Sequence, residues 1–310
     1  MFNRRRYFIV CFCAPILFGN VYASEGLAGT TVFDFLKIPF NASQAASAGI
    51  GIFDTKTAAV NPALLPFCGR ISLSASYSLY FQDTSFNSFS ITVPLKNGSD
   101  GINISYAGFD YGKMEGYVED GSGGYAANGV FTAADAFIGA SYGRIITYDV
   151  CAGVNFKYVR QTIDDGETAG FTLSAAGIYM PDKTWYLAGG LDNAGPPADG
   201  YPMPSSAYVA FTDKPEEFDS MLVYGLEFRC FFDAVMQLKA SCEFNYEQMF
   251  FARLGYNLHL NNDNKFLGEW YGKNLSAGFG VEYGFFVFDY AWMPFGDLGN
   301  VNMISLQVNF

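Results

Sequence analysis

From Ile71 to its last residue, the chain alternates apolar and polar residues with a period of two. In the first such stretch every second residue from 72 to 78 is serine, and the residues between are Ile71, Leu73, Ala75, Tyr77 and Leu79. The pattern is clearest from 236 to 246, where Lys239 and Glu243 fall on the polar side only. A period of two is typical of β-strands with differently surrounded faces. The sequence therefore predicts an all-β protein.

About thirteen such segments can be counted between residues 71 and 310, with turn-forming sequences at 97–101, 164–166 and 261–264. Bacterial transmembrane barrels have an even number of antiparallel strands, so fourteen is the natural expectation. Two glycine-rich stretches, 110–135 and 193–206, are interpreted as solvated loops, the first being the longest, that face outward from the cell. Residues 71–310 are thus predicted to form one transmembrane β-barrel.

The polar positions favour a membrane barrel over a soluble sandwich. They are mostly Ser, Thr, Asn and Gly, whereas the outer face of a soluble sandwich carries many charges. Charged residues make up only 15% of the chain and hydrophobic residues 50%, with 32 Phe and 21 Tyr. Since no apolar run after the first two dozen residues is long enough for a membrane-spanning helix, the apolar residues are expected to face lipid from strands.

The first 23 residues read as a cleaved signal peptide. Arg4, Arg5 and Arg6 precede an apolar stretch over 7–18, and small residues then favour cleavage after Ala23. A retained anchor is disfavoured because the stretch is too short to span a bilayer. A lipoprotein acylated at Cys11 or Cys13 is the other alternative. We expect export to the outer membrane of a diderm bacterium.

Residues 24–70 lack the alternation and form a separate N-terminal segment. The stretch 41–48 is rich in small residues and compatible with a helix. A second short element is expected over 54–65, with Asn61 as cap and Pro62 in the first helical turn. Such a segment is either a periplasmic extension or a plug inside the barrel, and a plug would explain how so wide a barrel avoids being an open hole.

The chain resembles FadL-type transporters and the PorV/PorQ family. The residues that carry the resemblance lie in 45–49, at Asp54 and Ala58, in the Asn61-Pro62-Ala63-Leu64-Leu65 motif, and near the end, in 289–292, 295–299 and 304–306. The internal sequence Asp192-Asn193-Ala194-Gly195 is similar to a turn of the PorV/PorQ family. The chain departs from the family pattern at Gln44 and in the spacing of Gly49 and Gly51. The terminal Phe310 resembles the targeting signature that the barrel assembly machinery reads.

The resemblance implies a fourteen-stranded barrel with an N-terminal hatch that bears Asn61, Pro62 and Ala63. FadL-type members bind long-chain fatty acids or other hydrophobic molecules, which pass the hatch region and leave sideways into the membrane. PorV-type members carry secreted proteins at the cell surface. The expected partners are therefore a hydrophobic small molecule, outer-membrane lipids and, during insertion, the assembly machinery.

No catalytic chemistry is expected. The net charge of −12 argues against nucleic acid as a partner. His259, the only histidine, has no nucleophile motif nearby and is interpreted as a loop or girdle residue. No zinc-type spacing relates Cys68, Cys151, Cys230 and Cys242, and we expect them to be unpaired packing residues. An oxidising compartment would permit one disulfide among them. No metal, cofactor or enzyme activity is predicted.

Two function classes remain open from the sequence. The favoured one is an outer-membrane transporter for long-chain fatty acids or other hydrophobic molecules, with passage past the hatch. The alternative is a secretion-associated barrel that binds exported proteins, and a plain structural porin comes third. The sequence does not identify the residues of a ligand pocket.

Overall fold

The computed structural model describes residues 30–51, 60–95, 98–119, 121, 123–182, 184–215, 221–233, 236–260 and 274–310. The predicted signal peptide (1–23) and the predicted turn at 261–264 lie outside them. Fourteen strands make up the barrel: β1 (Ser72–Leu79), β2 (Ser85–Leu95), β3 (Asp100–Glu119), β4 (Tyr125–Thr147), β5 (Val150–Ile163), β6 (Gly166–Tyr179), β7 (Trp185–Ala194), β8 (Ser206–Asp213), β9 (Leu222–Phe231), β10 (Met236–Tyr246), β11 (Phe250–His259), β12 (Leu275–Tyr283), β13 (Phe286–Pro294) and β14 (Asn300–Asn309).

Each strand pairs antiparallel with the next along the chain, and β1 closes the ring on β14. The closing register sets Ser72 opposite Asn309 and Leu79 opposite Asn302. The prediction of an all-β, fourteen-stranded antiparallel barrel is confirmed. Closure pairs the edges that an open sheet would leave unsatisfied in lipid.

The two faces of the strands are arranged as the alternation predicts. Leu79 and Ile104 are more than half exposed on the outside, whereas Ser78, Ser88 and Asn103 are almost fully buried on the inside. This is the reverse of a soluble protein, and an apolar exterior around a polar interior is the arrangement of a transmembrane barrel. None of the described helices is long and apolar enough to cross a membrane.

The two ends of the barrel differ. The connections from odd-numbered to even-numbered strands lie at one end, here called the loop end, which includes the stretch between β7 and β8. The opposite connections, together with the start of β1 and the end of β14, lie at the turn end, where two residues join β4 to β5 and β12 to β13. In transmembrane barrels short turns face the periplasm and longer loops face outside.

The interpretation of 110–135 as a long loop is wrong. Residues 110–119 continue β3 and residues 125–135 belong to β4, so the stretch is a paired ribbon with register shifts after Asp110 and Glu115. Glycines Gly112 and Gly129 adopt left-handed backbone conformations within it, with φ of 73° and 81°. Glycine-rich composition suggested a loop, but here the glycines accommodate bulges inside a hairpin. The predicted turn at 164–165 is confirmed, and it joins β5 to β6.

The described helices of the N-terminal segment at 42–46 and 62–67 pack against the inner wall. The segment contains a 3-10 helix over Asp34–Lys37, the helix α1 (Ala42–Ala46) and a 3-10 helix over Pro62–Phe67. The expected cap is present: the Asn61 side chain accepts from the backbone N–H of Ala63. The Asn41 side chain likewise caps α1 and accepts from the backbone N–H of Gln44. α1 contacts β11 to β14, whereas the Pro62–Phe67 helix contacts β2 to β6. Whether the segment acts as a hatch stays a prediction.

Arg253 on the inner wall is held by two carboxylates. The fully buried Arg253 donates to Glu243 at 2.6 Å and to Asp289 at 2.5 Å. Cys68, Cys151 and Cys230 are buried, Cys242 is half-buried, and no disulfide joins these four described cysteines.

Candidate functional site

A cavity of about 290 Å³ lies between the N-terminal segment and the inner wall. One part of its lining is apolar and aromatic, and consists mainly of Phe35, Phe40, Val60, Phe86, Phe137 and Met293. The other part is polar and contains Lys157, Asp192, Asn193, Arg229, Gln237, Lys239, Asn257 and His259. An apolar cavity with a few convergent polar groups is the usual form of a small-molecule site.

The aromatic part is centred on Phe137, which points inward from β4. Its ring centroid lies 6.1 Å from that of Phe35 and 6.3 Å from that of Phe40. The backbone carbonyl of Phe40 accepts a hydrogen bond of 2.6 Å from Ser88 on β2, which fixes the entry to α1. Two rings from the N-terminal segment and one from the barrel thus form a single apolar surface.

The polar part contains two cations whose charges are matched by carboxylates. Arg229 donates to Asp192 at 2.6 Å and to Glu227 at 2.8 Å. Lys239 lies 3.1 Å from the same Glu227. All four side chains are mostly or fully buried, so each charge depends on its partners rather than on water.

Lys157 is different. Its Nζ donates to the Asn193 side-chain oxygen at 2.9 Å and lies 5.1 Å from the centre of the Phe137 ring. In the described part of the chain no carboxylate comes within ion-pair distance of it. With Arg229, Lys239, Asp192 and Glu227, this cluster holds three positive and two negative formal charges, a net of +1.

Asn193 holds its position through an irregularity of the sheet. It adopts a left-handed conformation with φ of 53°, beside a register shift between β6 and β7. Its backbone N–H donates to Ser174 and its carbonyl accepts from Ser205. Asparagine tolerates this conformation better than most residues. The Asp192-Asn193-Ala194-Gly195 sequence, which is similar to a turn, is consistent with the left-handed backbone at Asn193. Nothing in that sequence indicated a contact with Lys157.

At the loop end, ionic and backbone contacts attach the N-terminal segment to the barrel. Lys37, which also lines the cavity, lies 2.5 Å from Asp233 and 3.0 Å from Asp34. The backbone N–H of Val32 donates to the carbonyl of Pro202 at 3.0 Å. The segment therefore forms a wall of the cavity while being held by the β7–β8 and β9–β10 connections.

The predicted motif Asn61-Pro62-Ala63 lies below the cavity, toward the turn end, and none of its residues lines the cavity. Its helix packs against a wall that has glycines at 101, 143 and 153. A Cβ atom at Gly143 or Gly153 would overlap the Pro62 backbone. The structure thus places the motif against β3 to β5, apart from the cationic cluster.

His259 is the last residue of β11 and faces the cavity rather than a loop. Its Nε2 lies 3.2 Å from Nε2 of Gln237 on the neighbouring strand. Sequence reasoning missed Lys157, Arg229 and Lys239 as site residues. The signal in the sequence was their charge. They occupy inward-facing positions of alternating strands, and in this chain most such positions carry small polar residues.

The fold is similar to that of solved toluene transporters and of a FadL homologue. The Ralstonia pickettii toluene transporter TbuX superposes with a TM-score of 0.63 at 12% identity, over 87% of this chain and 98% of that one. The Pseudomonas putida toluene transporter TodX gives 0.64 at 9%, over 87% and 98%. A Pseudomonas aeruginosa FadL homologue gives 0.57 at 10%, again over 87% and 98%.

The barrel therefore has the fold of FadL-type transporters, as the resemblance implied. TbuX and TodX are described as toluene transporters. No protein-family model and no curated protein matches the sequence.

Proposed function

We propose that the protein transports hydrophobic small molecules across the outer membrane of a diderm bacterium, and that its ligands are long-chain fatty acids or similar anionic amphiphiles. The observation that carries the proposal is Lys157, a cation without a carboxylate partner among the described residues, at the edge of an aromatic cavity. The ligand carboxylate binds Lys157, and the hydrocarbon tail packs against Phe35, Phe40 and Phe137.

Both parts of the cavity contribute to this selectivity. Burying an apolar tail stabilises a complex by about 25 cal/mol for each Å² removed from water. A hydrogen bond between an ammonium and a carboxylate contributes roughly 1.5–3 kcal/mol. A neutral hydrocarbon, such as the ligand of the toluene transporters, gains only the first contribution and leaves the net positive cluster unmatched. We therefore favour an acid over a hydrocarbon.

In this proposal the ligand enters from the loop end and the N-terminal segment acts as the hatch. The helix after Asn61 packs close to Gly143 and Gly153, so the route toward the turn end requires that this helix moves. Asn61, Pro62 and Ala63 then serve as the structural start of the hatch helix and do not contact the ligand.

Uptake into vesicles tests the function. Purified barrel is reconstituted into liposomes loaded with acyl-CoA synthetase, ATP and coenzyme A, and trapping of radiolabelled palmitate is compared with that of empty liposomes at short times. We expect the barrel to increase the trapping of radiolabelled palmitate several-fold. Unlabelled palmitate should suppress this increase, and sucrose should not. Equal trapping with and without protein, in vesicles where the barrel is folded, would contradict the proposal.

The second candidate, a PorV-like barrel that binds exported proteins, is favoured by the ribbon at the loop end. β2 pairs with β3 only up to Asp110, and β5 pairs with β4 only from Ala133. Among the described strands, Lys113–Glu119 and Tyr125–Phe131 therefore pair only with each other, and their outer edges offer backbone groups to an added strand. Crosslinking in intact cells from cysteines placed at Tyr117 and Tyr125 tests it, since a discrete protein adduct would support this function.

A further inference from the structure

The lipid-facing surface carries a groove of about 490 Å³ near the turn end, on β4, β5 and β6. It is almost entirely apolar, and its lining is formed by Tyr142, Arg144, Ile146, Ala152, Gly153, Val154, Ala175, Ala176 and Gly177. The cavity of the functional site lies inside the barrel, so the two are separated by the wall.

The depth of the groove follows from the side chains that the register brings together. Ala152 of β5 lies opposite Arg144 on one side and Gly177 on the other. The next outward-facing rung toward the loop end carries Tyr142 and Val154, which are larger and project into the lipid. The surface over Ala152 and Gly177 is therefore lower than the neighbouring rung toward the loop end.

Arg144 gives one side of the groove a positive charge. Its side chain is 55% exposed on the outer face, and its Nε lies 3.5 Å from the buried carboxylate of Asp100 on β3. Within the described residues no second carboxylate pairs with it. The guanidinium has five N–H donors, so beside its contact with Asp100 this exposed side chain has donors for an oxyanion of the membrane.

Arg144 lies close to the turn end of the barrel. It lies three residues before the end of β4 at Thr147, which corresponds to roughly 7 Å along the membrane normal for a strand tilted by 45°. Tyr179 and Trp185, whose rings are 6.2 Å apart, lie closer to the same end and are typical of an interfacial aromatic girdle. An arginine at this level extends to the headgroups.

We propose that this groove binds one glycerophospholipid of the leaflet at the turn end. One acyl chain occupies the floor over Ala152 and Gly177, and the phosphate pairs with Arg144. The occupant is a phospholipid because the groove combines an apolar trough with a single cation at headgroup depth. This site is independent of the transport function, since no residue of the groove lines the internal cavity.

Native mass spectrometry of the intact barrel tests the proposal. Protein released from nanodiscs of phosphatidylglycerol and phosphatidylethanolamine is compared with R144Q, which removes the charge, and A152L, which fills the floor. R160Q and A240L are the matched controls. Arg160 faces outward at the loop end and pairs with Glu167, and Ala240 is an outward alanine on β10.

The wild type is expected to retain one phospholipid at collision energies that strip the others. Retention should fall at least fivefold in R144Q and in A152L, and it should remain within twofold in both controls. Equal retention in all five proteins, or an equal loss in all four variants, would overturn the proposal. Heat-modifiable migration on gels verifies folding, and A175V replaces A152L if the latter fails to assemble.

Discussion

The ammonium of Lys157 on β5 donates a hydrogen bond of 2.9 Å to the side-chain oxygen of Asn193, a residue held in a left-handed conformation on β7. In the described part of the structure no carboxylate lies within ion-pair distance of Lys157. The neighbouring Arg229 and Lys239 share Asp192 and Glu227. Of these three cations, Lys157 is therefore the one whose charge a ligand is best placed to match.

Removing the charge of Lys157 should weaken acid binding selectively. In K157Q the loss of one charge-assisted hydrogen bond, worth roughly 1.5–3 kcal/mol, should raise the Kd for palmitate at least tenfold. The Kd for hexadecanol should change little, because an alcohol does not need the cation. Displacement of a fluorescent fatty acid measures both values. K113Q, on the ribbon beyond the barrel wall, is the control, and an equal loss for acid and alcohol would contradict the assigned role.

Truncating the ring of Phe137 should weaken acid and alcohol alike. F137A removes an aromatic surface that Phe35 and Phe40 share, and with it part of the apolar contact to the ligand tail. We expect both Kd values to rise about fivefold to twentyfold in the same displacement assay. F156A, which removes a phenylalanine from the lipid-facing side of β5, should leave them unchanged. Unaltered binding in F137A would place the tail elsewhere.

A side chain at Gly143 should displace the Pro62–Phe67 helix. In G143V the added carbon atoms would overlap the Pro62 carbonyl, so either the helix or β4 must move. We expect frequent channel openings in planar bilayers, where the wild type passes little current. G177A is the control, because a Cβ at this outward-facing position meets no atom closer than 3.8 Å. Wild-type conductance in folded G143V would argue against the hatch.

Replacing the buried Arg253 should destabilise the barrel strongly. R253M leaves the carboxylates of Glu243 and Asp289 without their shared cation in a buried site. Breaking such a pair from one side costs about 3–5 kcal/mol, which should appear as a lower urea midpoint for unfolding from lipid vesicles. R160Q breaks an exposed pair with Glu167 and should cost less than about 1 kcal/mol. Similar urea midpoints for R253M and R160Q would contradict the larger stabilising role assigned to the buried ion pairs of Arg253.

The fold was predictable because lipid and lumen impose opposite requirements on alternate residues. The serines from 72 to 78 and the charges at 239 and 243 alone indicate which face is polar, and Asn41 and Asn61 identify the starts of two short helices. The ribbon at 110–135 was not predictable in the same way. Over 113–119 and 125–132 both faces of the ribbon are exposed or half-exposed, so no alternation is required there, and its glycines give the composition of a loop.

The site could not be derived from local patterns, since its parts are far apart in the sequence. Lys157 and Asn193 are 36 residues apart and meet through a register shift on β6 and β7. Phe35 and Phe137 meet only because the N-terminal segment packs inside the ring. The sequence motif at 61–63 carried the family resemblance, but its helical geometry directs it to the wall below the cavity.

The most direct measurement of the central claim is a crystal structure of the barrel grown with palmitate. The account predicts electron density for the acid in the internal cavity, with its carboxylate within 3.5 Å of Lys157 Nζ and its chain against Phe35, Phe40 and Phe137. Density with the carboxylate away from Lys157, or an empty cavity under saturating palmitate, would contradict it.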